Sequence, residues 1–477
     1  MKKILALVFI LFMFATCSKK PTDTTPTPTK TDPVITAGGA TTFTEGSSVV
    51  LSSTSTTGNQ WYNNGTAISG ATGATYTATA SGTYTVKTSQ ATFNATASNG
   101  ITVIVNSLPA LKVVGSSLTD HSGNPVILEG VNVAVYQSGS FDDLAAVESA
   151  IKSHTKANCV RLMWESSAAV AALHAHNTAY NPIAYTNDKL DAALGLYTSD
   201  HILPILCLND ITDLAANSLA DENDATGAFT KYVTKFWTDP AIITILKKYQ
   251  TNLVINLQNQ WGYTFTGSTS PFPFSINNFI STYGGLITTL RTAGITCPIM
   301  IDAPDGGTNF DFMVTNGTAL INSDPIKNIL LSVHPYWSNQ PNGGIINCPA
   351  DYLSFVDELA NSGLPFVLGE VTDWAVNANN GNEEPVTAPF TSFACPLPGS
   401  HNQFAIDYDD ILKEAMLKNI GYCAWTWYQE DQPIRNLYDP VTGLTQNTAA
   451  VAYTFPADIL SSTKTYGLNN TNVKKVF

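Results

Sequence analysis

The sequence predicts a protein of the α/β class, in which a (β/α)8 TIM barrel follows a small all-β sandwich. From residue 111 onward, eight β-prone runs alternate with amphipathic segments whose apolar residues recur every three or four positions. Eight parallel strands are the number that such a closed barrel needs. Residues 34–107 instead contain short β-prone runs between Gly and Asn turns, and their only charged side chains are Glu45 and Lys87.

Length and charge limit the classes of function. A chain of 477 residues suits two or three folding units, and a hydrophobic share of 44% is enough to build their cores. Subtracting 37 acidic from 23 basic residues gives the net charge of −14. Such a chain repels phosphate backbones, so we expect no nucleic-acid partner and favour neutral ligands.

The N-terminus has the pattern of an export signal. Two lysines precede an apolar run from Ile4 to Ala15, which is too short to span a bilayer but suits a secretory signal peptide. The segment that ends at Cys17 resembles the lipobox of bacterial lipoproteins, which implies lipid attachment at that cysteine. An ordinary signal peptide is the alternative. We expect an exported protein that is lipid-anchored to a bacterial membrane, at the outer membrane or cell surface, with residues 1–17 as its signal peptide.

Residues 18–33 are rich in Pro and Thr and predict an extended tether. The following sandwich is predicted from five strand candidates and from the hairpin sequence Asn63-Asn64-Gly65, with Trp61 at its centre. The strand candidates are residues 48–51, 60–62, 75–79, 82–87 and 101–105. This unit, residues 34–107, resembles bacterial immunoglobulin-like modules, although it lacks the cysteine pair of antibody domains. We favour a role as a spacer, and ligand binding is the alternative.

The barrel is predicted over residues 111–477. Its strand candidates are residues 126–133, 159–164, 202–208, 252–257, 297–301, 329–334, 365–370 and 421–427. Between them lie helical patterns such as residues 279–290, which keep one apolar stripe. A hairpin of residues 111–114 with residues 125–128, turning at 122–124, is expected to close the bottom of the barrel.

The cysteines fall into two groups. Four of them lie inside proposed strands, where a reduced thiol acts as a small apolar side chain: Cys159, Cys207, Cys297 and Cys423. Cys348 and Cys395 lie in loops after the sixth and seventh strands. In an exported protein these two are candidates for a disulfide.

Chemistry in this architecture gathers at the C-terminal ends of the strands. Polar and aromatic residues at these ends are Arg161, Asn209, Asn259, Gln260, Trp261, Asp302, His334, Tyr336, Glu370, Trp425 and Trp427. Tryptophans are concentrated there as well, namely Trp164, Trp261, Trp337, Trp374, Trp425 and Trp427. Flat indoles suit the CH faces of sugar rings, so we expect a glycan-binding cleft.

Four segments at the strand ends resemble glycoside hydrolase family 5, the cellulase and β-mannanase family. They are residues 255–261, 332–336, 365–370 and 424–427. The resemblance covers residues 111–477 and implies a retaining glycosidase barrel with a β-glycan substrate and no cofactor or metal. Glu370 matches the nucleophile, and Asn259 matches the residue that contacts the 2-hydroxyl. The other implied contacts are Arg161 beside the nucleophile, His334 and Tyr336 at the site wall, and Trp425 with Trp427 and Trp261 around the sugar.

The sequence departs from the family pattern at the acid/base position, where Gln260 follows Asn259. An amide has no titratable proton to give to a leaving oxygen. General acid-base assistance contributes about 10²- to 10⁴-fold, so its loss raises the barrier by roughly 3 to 5.5 kcal/mol. A second departure follows the third strand, where Asn209 stands in place of the family's histidine.

Three functions remain open at this point. The first is a lipoprotein that binds a β-mannan or β-glucan, with hydrolysis strongly impaired. The second is an active retaining endo-β-glycanase in which another carboxylate replaces Gln260 as acid/base. Candidates for that carboxylate are Glu165, Asp210, Asp302, Asp305, Asp373 and Glu430. The third is an adhesion or scaffold protein, against which we weigh the clustered tryptophans.

Overall fold

A computed structural model provides the three-dimensional structure. It describes residues 30–106, 108–134, 144–178, 185–216, 219–220, 224, 226–262, 276–335, 349–372, 375–376, 383–384, 404–405, 408–427, 437–439, 444–445 and 455–477. Predictions about Cys17 and the signal peptide, the tether up to residue 29, Tyr336, Trp337, Cys348, Asp373, Trp374, Cys395 and Glu430 lie outside these residues. The chain divides into two compact units, one ending at Leu108 and the other spanning Pro109–Phe477. None of the helices in the described ranges combines the length and apolar character needed to cross a membrane.

The N-terminal unit consists of two sheets around one core. The first sheet contains Ile35–Ala37, Val49–Ser53 and Thr75–Ala78. The second contains, in spatial order, Thr42–Thr44, Ile101–Asn106, Gly82–Thr88, Asn59–Asn63 and Thr66–Ala67. Each of the five predicted strands is present. Trp61 is fully buried in the shared core with Leu51 and Val86, an arrangement that is compatible with a sandwich.

The hairpin between Asn59–Asn63 and Thr66–Ala67 turns at Asn64 and Gly65. Both turn residues have positive φ, 48° and 80°. Asn and Gly are the residues that adopt this conformation most readily in two-residue hairpin loops. The turn sequence therefore explains why the chain reverses here.

The second unit is a closed barrel of eight parallel strands, which confirms the predicted fold class. In order, the strands are Glu129–Ala134, Cys159–Trp164, Leu203–Leu208, Val254–Asn256, Ile299–Asp302, Ile329–Val333, Phe366–Val371 and Gly421–Ala424. The first strand pairs with the eighth and closes the ring. Every residue of these strands is buried, as expected for parallel strands that are covered by helices.

Helices surround the barrel. They are Leu144–His154, Ser167–His176, Asn187–Ser199, Asp210–Ala216, Lys235–Trp237, Pro240–Tyr249, Ile276–Thr292, Phe310–Ser323, Pro349–Asn361, Tyr408–Leu417 and Phe455–Ile459, with a π-helical turn at Phe229–Thr234 and a 3-10 turn at Gln250–Asn252. Short strands also occur at Ala375–Val376, Glu383–Glu384, Phe404–Ala405, Tyr438–Asp439 and Leu444–Thr445. The predicted apolar stripe of helix Ile276–Thr292 is confirmed, because Phe279, Tyr283, Ile287 and Leu290 have no measurable exposure.

The bottom of the barrel is closed by three antiparallel strands rather than by the predicted hairpin. Ser117–Thr119 lies in the middle and pairs with both Lys112–Val114 and Pro125–Val126. The predicted pairing was wrong because the chain already reverses at Gly115, whose φ is +60°. Leu118 of this sheet packs in one cluster with barrel-strand residues such as Leu203. The small sheet therefore covers the end of the barrel opposite the candidate site.

Cys159, Cys207 and Cys423 lie in barrel strands, whereas Cys297 lies two residues before the fifth strand rather than inside it as predicted; all four are buried and free. This placement agrees with their predicted role as apolar side chains.

Candidate active site

Arg161, on the second barrel strand, lies at the centre of the candidate site and has no measurable exposure. Its Nη1 is 2.9 Å from Oε1 of Glu370, and its Nη2 is 2.8 Å from Oδ2 of Asp302. Burial by itself raises the pKa of Asp302, but the Arg161 guanidinium, together with His334 and Ser332, more than offsets burial and holds that pKa well below its ordinary value. One buried cation therefore holds two carboxylates at the ends of the fifth and seventh strands.

Amide side chains occupy the remaining donors of Arg161. Nε donates to Oδ1 of Asn256 at 2.9 Å, Nη1 to Oδ1 of Asn132 at 3.0 Å, and Nη2 to Oδ1 of Asn259 at 2.8 Å. Asn132 also donates from Nδ2 to the carbonyl oxygen of Gly369, at 3.0 Å. Because Gly369 immediately precedes Glu370 on the seventh strand, the amide of Asn132 connects the arginine and the backbone next to the carboxylate.

Asn132 and Asn256 were not predicted as site residues from the sequence. A signal was present, since Asn132 stands between Val131 and Val133, and Asn256 follows Val254 and Ile255. A buried amide is costly unless it is hydrogen-bonded. Such residues therefore indicate a buried polar partner, which here is Arg161.

Gln260 connects the two carboxylates on the side opposite Arg161. Its Nε2 lies 3.4 Å from Oε2 of Glu370 and 2.8 Å from Nδ1 of His334. Nε2 of His334 in turn lies 3.6 Å from Oδ2 of Asp302. The five residues Arg161, Glu370, Gln260, His334 and Asp302 thus form a closed cycle, which we call the polar ring.

The chemistry of the polar ring assigns its protons. A carboxylate only accepts hydrogen bonds, so the nitrogen of the Gln260 amide, rather than its oxygen, is assigned to face Glu370. The same NH2 group then donates to Nδ1 of His334, which places the imidazole proton on Nε2, facing Asp302. The backbone N–H of Gln260 also donates to Oδ2 of Asp302 at 3.2 Å. Gln260 is thereby held at both its backbone and its side chain.

Two glycines enclose the imidazole of His334. A Cβ atom at Gly369 would lie 2.8 Å from Nε2 of His334 and 2.2 Å from Oγ of Ser332. A Cβ atom at Gly307 would lie 2.6 Å from Nδ1 of the same ring, and Gly307 has a φ of +80°. The backbone N–H of His334 donates to the carbonyl oxygen of Gly307 at 2.8 Å. Side chains at these positions would displace the imidazole. The two glycines therefore leave the room that the ring occupies.

Asn209 and Asn259 lie within hydrogen-bonding distance of each other. Nδ2 of Asn259 donates to Oδ1 of Asn209 at 2.9 Å, and Nδ2 of Asn209 donates to Oε1 of Glu165 at 3.3 Å. Thr212 donates from its hydroxyl to the carbonyl oxygen of Asn259 at 2.8 Å. Asn209 therefore orients Asn259, whose oxygen accepts from Arg161.

The tryptophans correct one expectation. Trp261 is 2% exposed and stacks on Phe279, with ring centroids 5.6 Å apart and planes inclined by 14°. Trp164 and Trp427 are 2% and 1% exposed and belong to the same large core cluster. Packing against the surrounding helices therefore accounts for these three indoles, and they do not form a sugar platform. Trp425, at 7% exposure, instead packs with barrel-interior residues such as Met163.

The carboxylates proposed as substitutes for Gln260 are engaged elsewhere, so far as the described residues include them. Glu165 and Asp210 have no measurable exposure, and Asp210 accepts from the backbone N–H of Ser166 at 2.6 Å. Asp305 is 4% exposed and accepts from Nδ2 of Asn309 at 2.7 Å. Asp302 is held by Arg161 in the polar ring. In the part of the chain that the structure describes, each of these four side chains is therefore held by neighbouring groups.

Comparisons with known proteins find relatives that are mannan endo-1,4-beta-mannosidases. No family model matches the sequence. A mannan endo-1,4-beta-mannosidase of Cellvibrio japonicus is 25% identical over 76% of this chain and 66% of its own length, so the chain spans about two thirds of that relative. A mannan endo-1,4-beta-mannosidase of Streptomyces lividans is 21% identical over 71% of each chain.

Solved structures agree on the fold. The catalytic domain of a mannanase from Streptomyces sp. SirexAA-E superposes with a TM-score of 0.53 at 18% identity, covering 78% of this chain and 96% of that one. The mannotriose complex of Thermomonospora fusca beta-mannanase gives a TM-score of 0.53 at 19% identity, covering 77% and 98%. These likenesses support the (β/α)8 barrel fold of the second unit.

Proposed function

We propose that the protein is a member of glycoside hydrolase family 5 that binds a β-linked glycan, β-mannan in particular, and hydrolyses it very slowly. The names of the relatives favour β-mannan over β-glucan. The single observation that carries the proposal is the position of Gln260, whose Nε2 stands 3.4 Å from Oε2 of Glu370. An amide thus faces the carboxylate where a retaining glycosidase needs a second carboxylate.

The nucleophilic half of the site is complete. Glu370 is 4% exposed, and its Oε1 accepts a hydrogen bond from Nη1 of Arg161 at 2.9 Å. Retaining glycosidases place their two carboxyl groups about 5 to 5.5 Å apart, with the scissile bond between them. Nε2 of Gln260 contacts Oε2 of Glu370 directly at 3.4 Å, so a sugar bound between these side chains must replace this contact. The amide is then free to donate its hydrogen bond to the glycan.

The acid half of the site is disabled. A sugar leaves as an alkoxide, which must be protonated as the bond breaks, and an amide has no proton to transfer at neutral pH. Loss of this assistance slows the reaction by about 10²- to 10⁴-fold. Binding depends on shape and hydrogen bonds and does not require the missing proton. The site therefore retains a glycan without cleaving it at an ordinary rate.

The second candidate function is an active retaining endo-β-mannanase, which is favoured by the names of the relatives. It requires a carboxylate other than Glu370 that reaches the leaving oxygen. Within the described residues, Glu165, Asp210, Asp302 and Asp305 are buried and bonded to neighbours. Their engagement favours the first candidate.

The experiment measures retention on mannan, glucomannan and mixed-linkage glucan together with release of reducing ends. We expect retention without appreciable release by the native protein, and release by Gln260→Glu that is about 10²- to 10⁴-fold faster. Glu370→Gln in the Gln260→Glu background should abolish that gain. Rapid release by the native protein that Glu370→Gln abolishes would establish the second candidate instead.

We also propose that Cys17 carries a lipid anchor on an exported protein and that residues 34–107 act as an immunoglobulin-like spacer. The lipobox-like segment and the tether composition support this proposal. Cys17→Ala should move the protein from the membrane fraction to the soluble fraction of the producing cell. Unchanged membrane association of that variant would contradict lipid attachment at Cys17.

A further inference from the structure

We infer that this site cleaves β-glycosides whose leaving group departs as a stable anion, such as phenolic glycosides and glycosyl esters. The inference rests on the proposed function, because it uses the same cleft, and adds the class of compound that the site processes. Its basis is that Glu370 can act as a nucleophile, whereas Gln260 cannot act as an acid. The carboxylate needed for attack is present, and in the bond-breaking step the missing group is needed only when the leaving group requires a proton.

The bond-breaking step balances without a proton. Oε1 of Glu370 is held by Arg161 at 2.9 Å, so Oε2, which faces Gln260, is the oxygen placed to attack the anomeric carbon. The bond from Oε2 to that carbon forms as the glycosidic bond breaks, and the bonding electron pair leaves with the aglycone. A glycosyl ester on Glu370 and an aglycone anion result. No oxidant, reductant or acid is consumed.

Gln260 is oriented to assist such a leaving group. Its Nε2 donates to Nδ1 of His334 at 2.8 Å, and its backbone N–H donates to Asp302 at 3.2 Å. These contacts keep the NH2 group, rather than the amide oxygen, directed towards Glu370. A fixed donor near the departing oxygen stabilises the negative charge that develops there. This stabilisation suffices for a phenolate or carboxylate, whereas a sugar alkoxide is too basic to leave unprotonated.

The second step lacks a general base. Water must lose a proton as it attacks the glycosyl ester, and the amide of Gln260 is a very weak proton acceptor. The ester therefore persists until an anionic nucleophile that has no proton to lose attacks the anomeric carbon. That attack breaks the bond to Oε2, restores the Glu370 carboxylate and transfers the glycosyl group. A carboxylate anion is the acceptor class that fits this requirement, and azide is a convenient probe.

The test uses the full chain with dinitrophenyl β-mannobioside and, in parallel, dinitrophenyl β-cellobioside. We expect a burst of dinitrophenolate that is stoichiometric with the protein, followed by slow turnover. Intact-mass spectrometry should show one added disaccharide on the protein. Azide should accelerate the slow phase by about 10²-fold, the lower range of what a general base contributes, and the product should be the β-configured glycosyl azide.

Two variants serve as comparisons. Glu370→Gln should show no burst and no adduct, with its folding checked by thermal unfolding. Gln260→Glu should lose the burst and the azide response, because the restored carboxylate serves as base in the second step. Activation of the native protein by azide needs no variant, so the inference is testable even if Glu370→Gln fails to fold.

The outcomes separate this inference from the proposed function. Retention on mannan with no dinitrophenolate release above the Glu370→Gln background would overturn the inference and leave glycan binding standing. Absence of both retention and release would overturn the proposed function as well. Release with no burst, no adduct and no azide response would show that the second step is already fast, which contradicts the role given to Gln260.

Discussion

Nη2 of Arg161 lies 2.8 Å from Oδ2 of Asp302, and neither side chain has measurable exposure. The same carboxylate oxygen accepts the backbone N–H of Gln260 at 3.2 Å. Gln260 has a φ of +53°, a left-handed conformation that costs a non-glycine residue roughly 1–2 kcal/mol. The Arg161–Asp302 pair therefore helps to hold the strained residue from which the side chain enters the polar ring.

Removing the charge of Asp302 should strongly destabilise the barrel. Breaking a buried ion pair costs about 3–5 kcal/mol, and in this variant Arg161 keeps Glu370 as its one remaining carboxylate partner among the described residues. We expect Asp302→Asn to lower the free energy of unfolding in urea by that amount. The matched control is Asp191→Asn, which breaks an ion pair with Lys248 at 2.8 Å on the exposed surface and should leave unfolding unchanged. Equal effects of the two substitutions would contradict the importance given to the buried pair.

Glu129 should make stability depend on pH. Burial raises the pKa of Glu129 to about 7, whereas an unfolded glutamate titrates near 4.3. Between these two values the folded state keeps a proton that the unfolded state has released, so the free energy of unfolding falls as pH rises through this window. Above about pH 7 the carboxylate is ionised in both states, so the folded state bears the full cost of burying its charge. Glu129→Gln removes this titration.

The measurement is urea unfolding of the native protein and of Glu129→Gln at about pH 4 and about pH 8. The free energy of unfolding of the variant minus that of the native protein should increase by about 1–3 kcal/mol from the lower to the higher pH. Parallel pH profiles of the two proteins would show that Glu129 keeps an ordinary pKa in the folded state.

A methyl group at Gly369 should disturb the polar ring through His334. Its Cβ would lie 2.2 Å from Oγ of Ser332 and 2.8 Å from Nε2 of His334, and such overpacking costs about 1–3 kcal/mol. We expect Gly369→Ala to lower both stability and the hydrolytic gain of Gln260→Glu. Gly285→Ala is the control, because no atom lies within 4 Å of its Cβ position on helix Ile276–Thr292, and it should stabilise the helix by about 0.5–1 kcal/mol. An unchanged hydrolytic gain of Gln260→Glu in the presence of Gly369→Ala would argue against the role of Gly369 in positioning His334.

Two tryptophans should respond differently to truncation. Trp261 is packed between aromatic rings in the core, so Trp261→Ala should cost about 3–5 kcal/mol in unfolding free energy. Trp425 lies beside Met163 in the barrel interior, at the end of the eighth strand. We expect Trp425→Ala to weaken retention on mannan at temperatures well below its unfolding temperature. Under the same folded conditions, Trp261→Ala should still bind mannan. Affinity electrophoresis in mannan gels measures this, and the reverse pattern would contradict both assignments.

The barrel was predictable because its strands are buried on both faces and therefore form continuous apolar runs. Cys159–Trp164, for example, was predicted with its observed bounds. The sheet at the bottom was harder to predict. Its central strand, Ser117–Thr119, has three residues and two hydroxyl side chains, so no hydrophobic pattern distinguishes it from a loop.

The residues that meet in the site were predictable from their places at strand ends. The directions of their side chains were not. Arg161, Glu370, Gln260 and His334 meet because parallel strands end on one face. The direction of Trp261 was not predictable, because the left-handed φ of Gln260 interrupts the alternation of side chains. Gln260 therefore enters the polar ring while its neighbour packs against Phe279. No sequence pattern reveals that backbone turn in advance.

The completeness of the polar ring has a genetic consequence. Codons for glutamine and glutamate differ in their first base, so one point mutation separates the present amide from a carboxylate at residue 260. Arg161, His334, Asp302 and Glu370 already occupy their places, and the exchange adds no bulk. If the proposed function holds, selection for growth on mannan should therefore favour this single codon change.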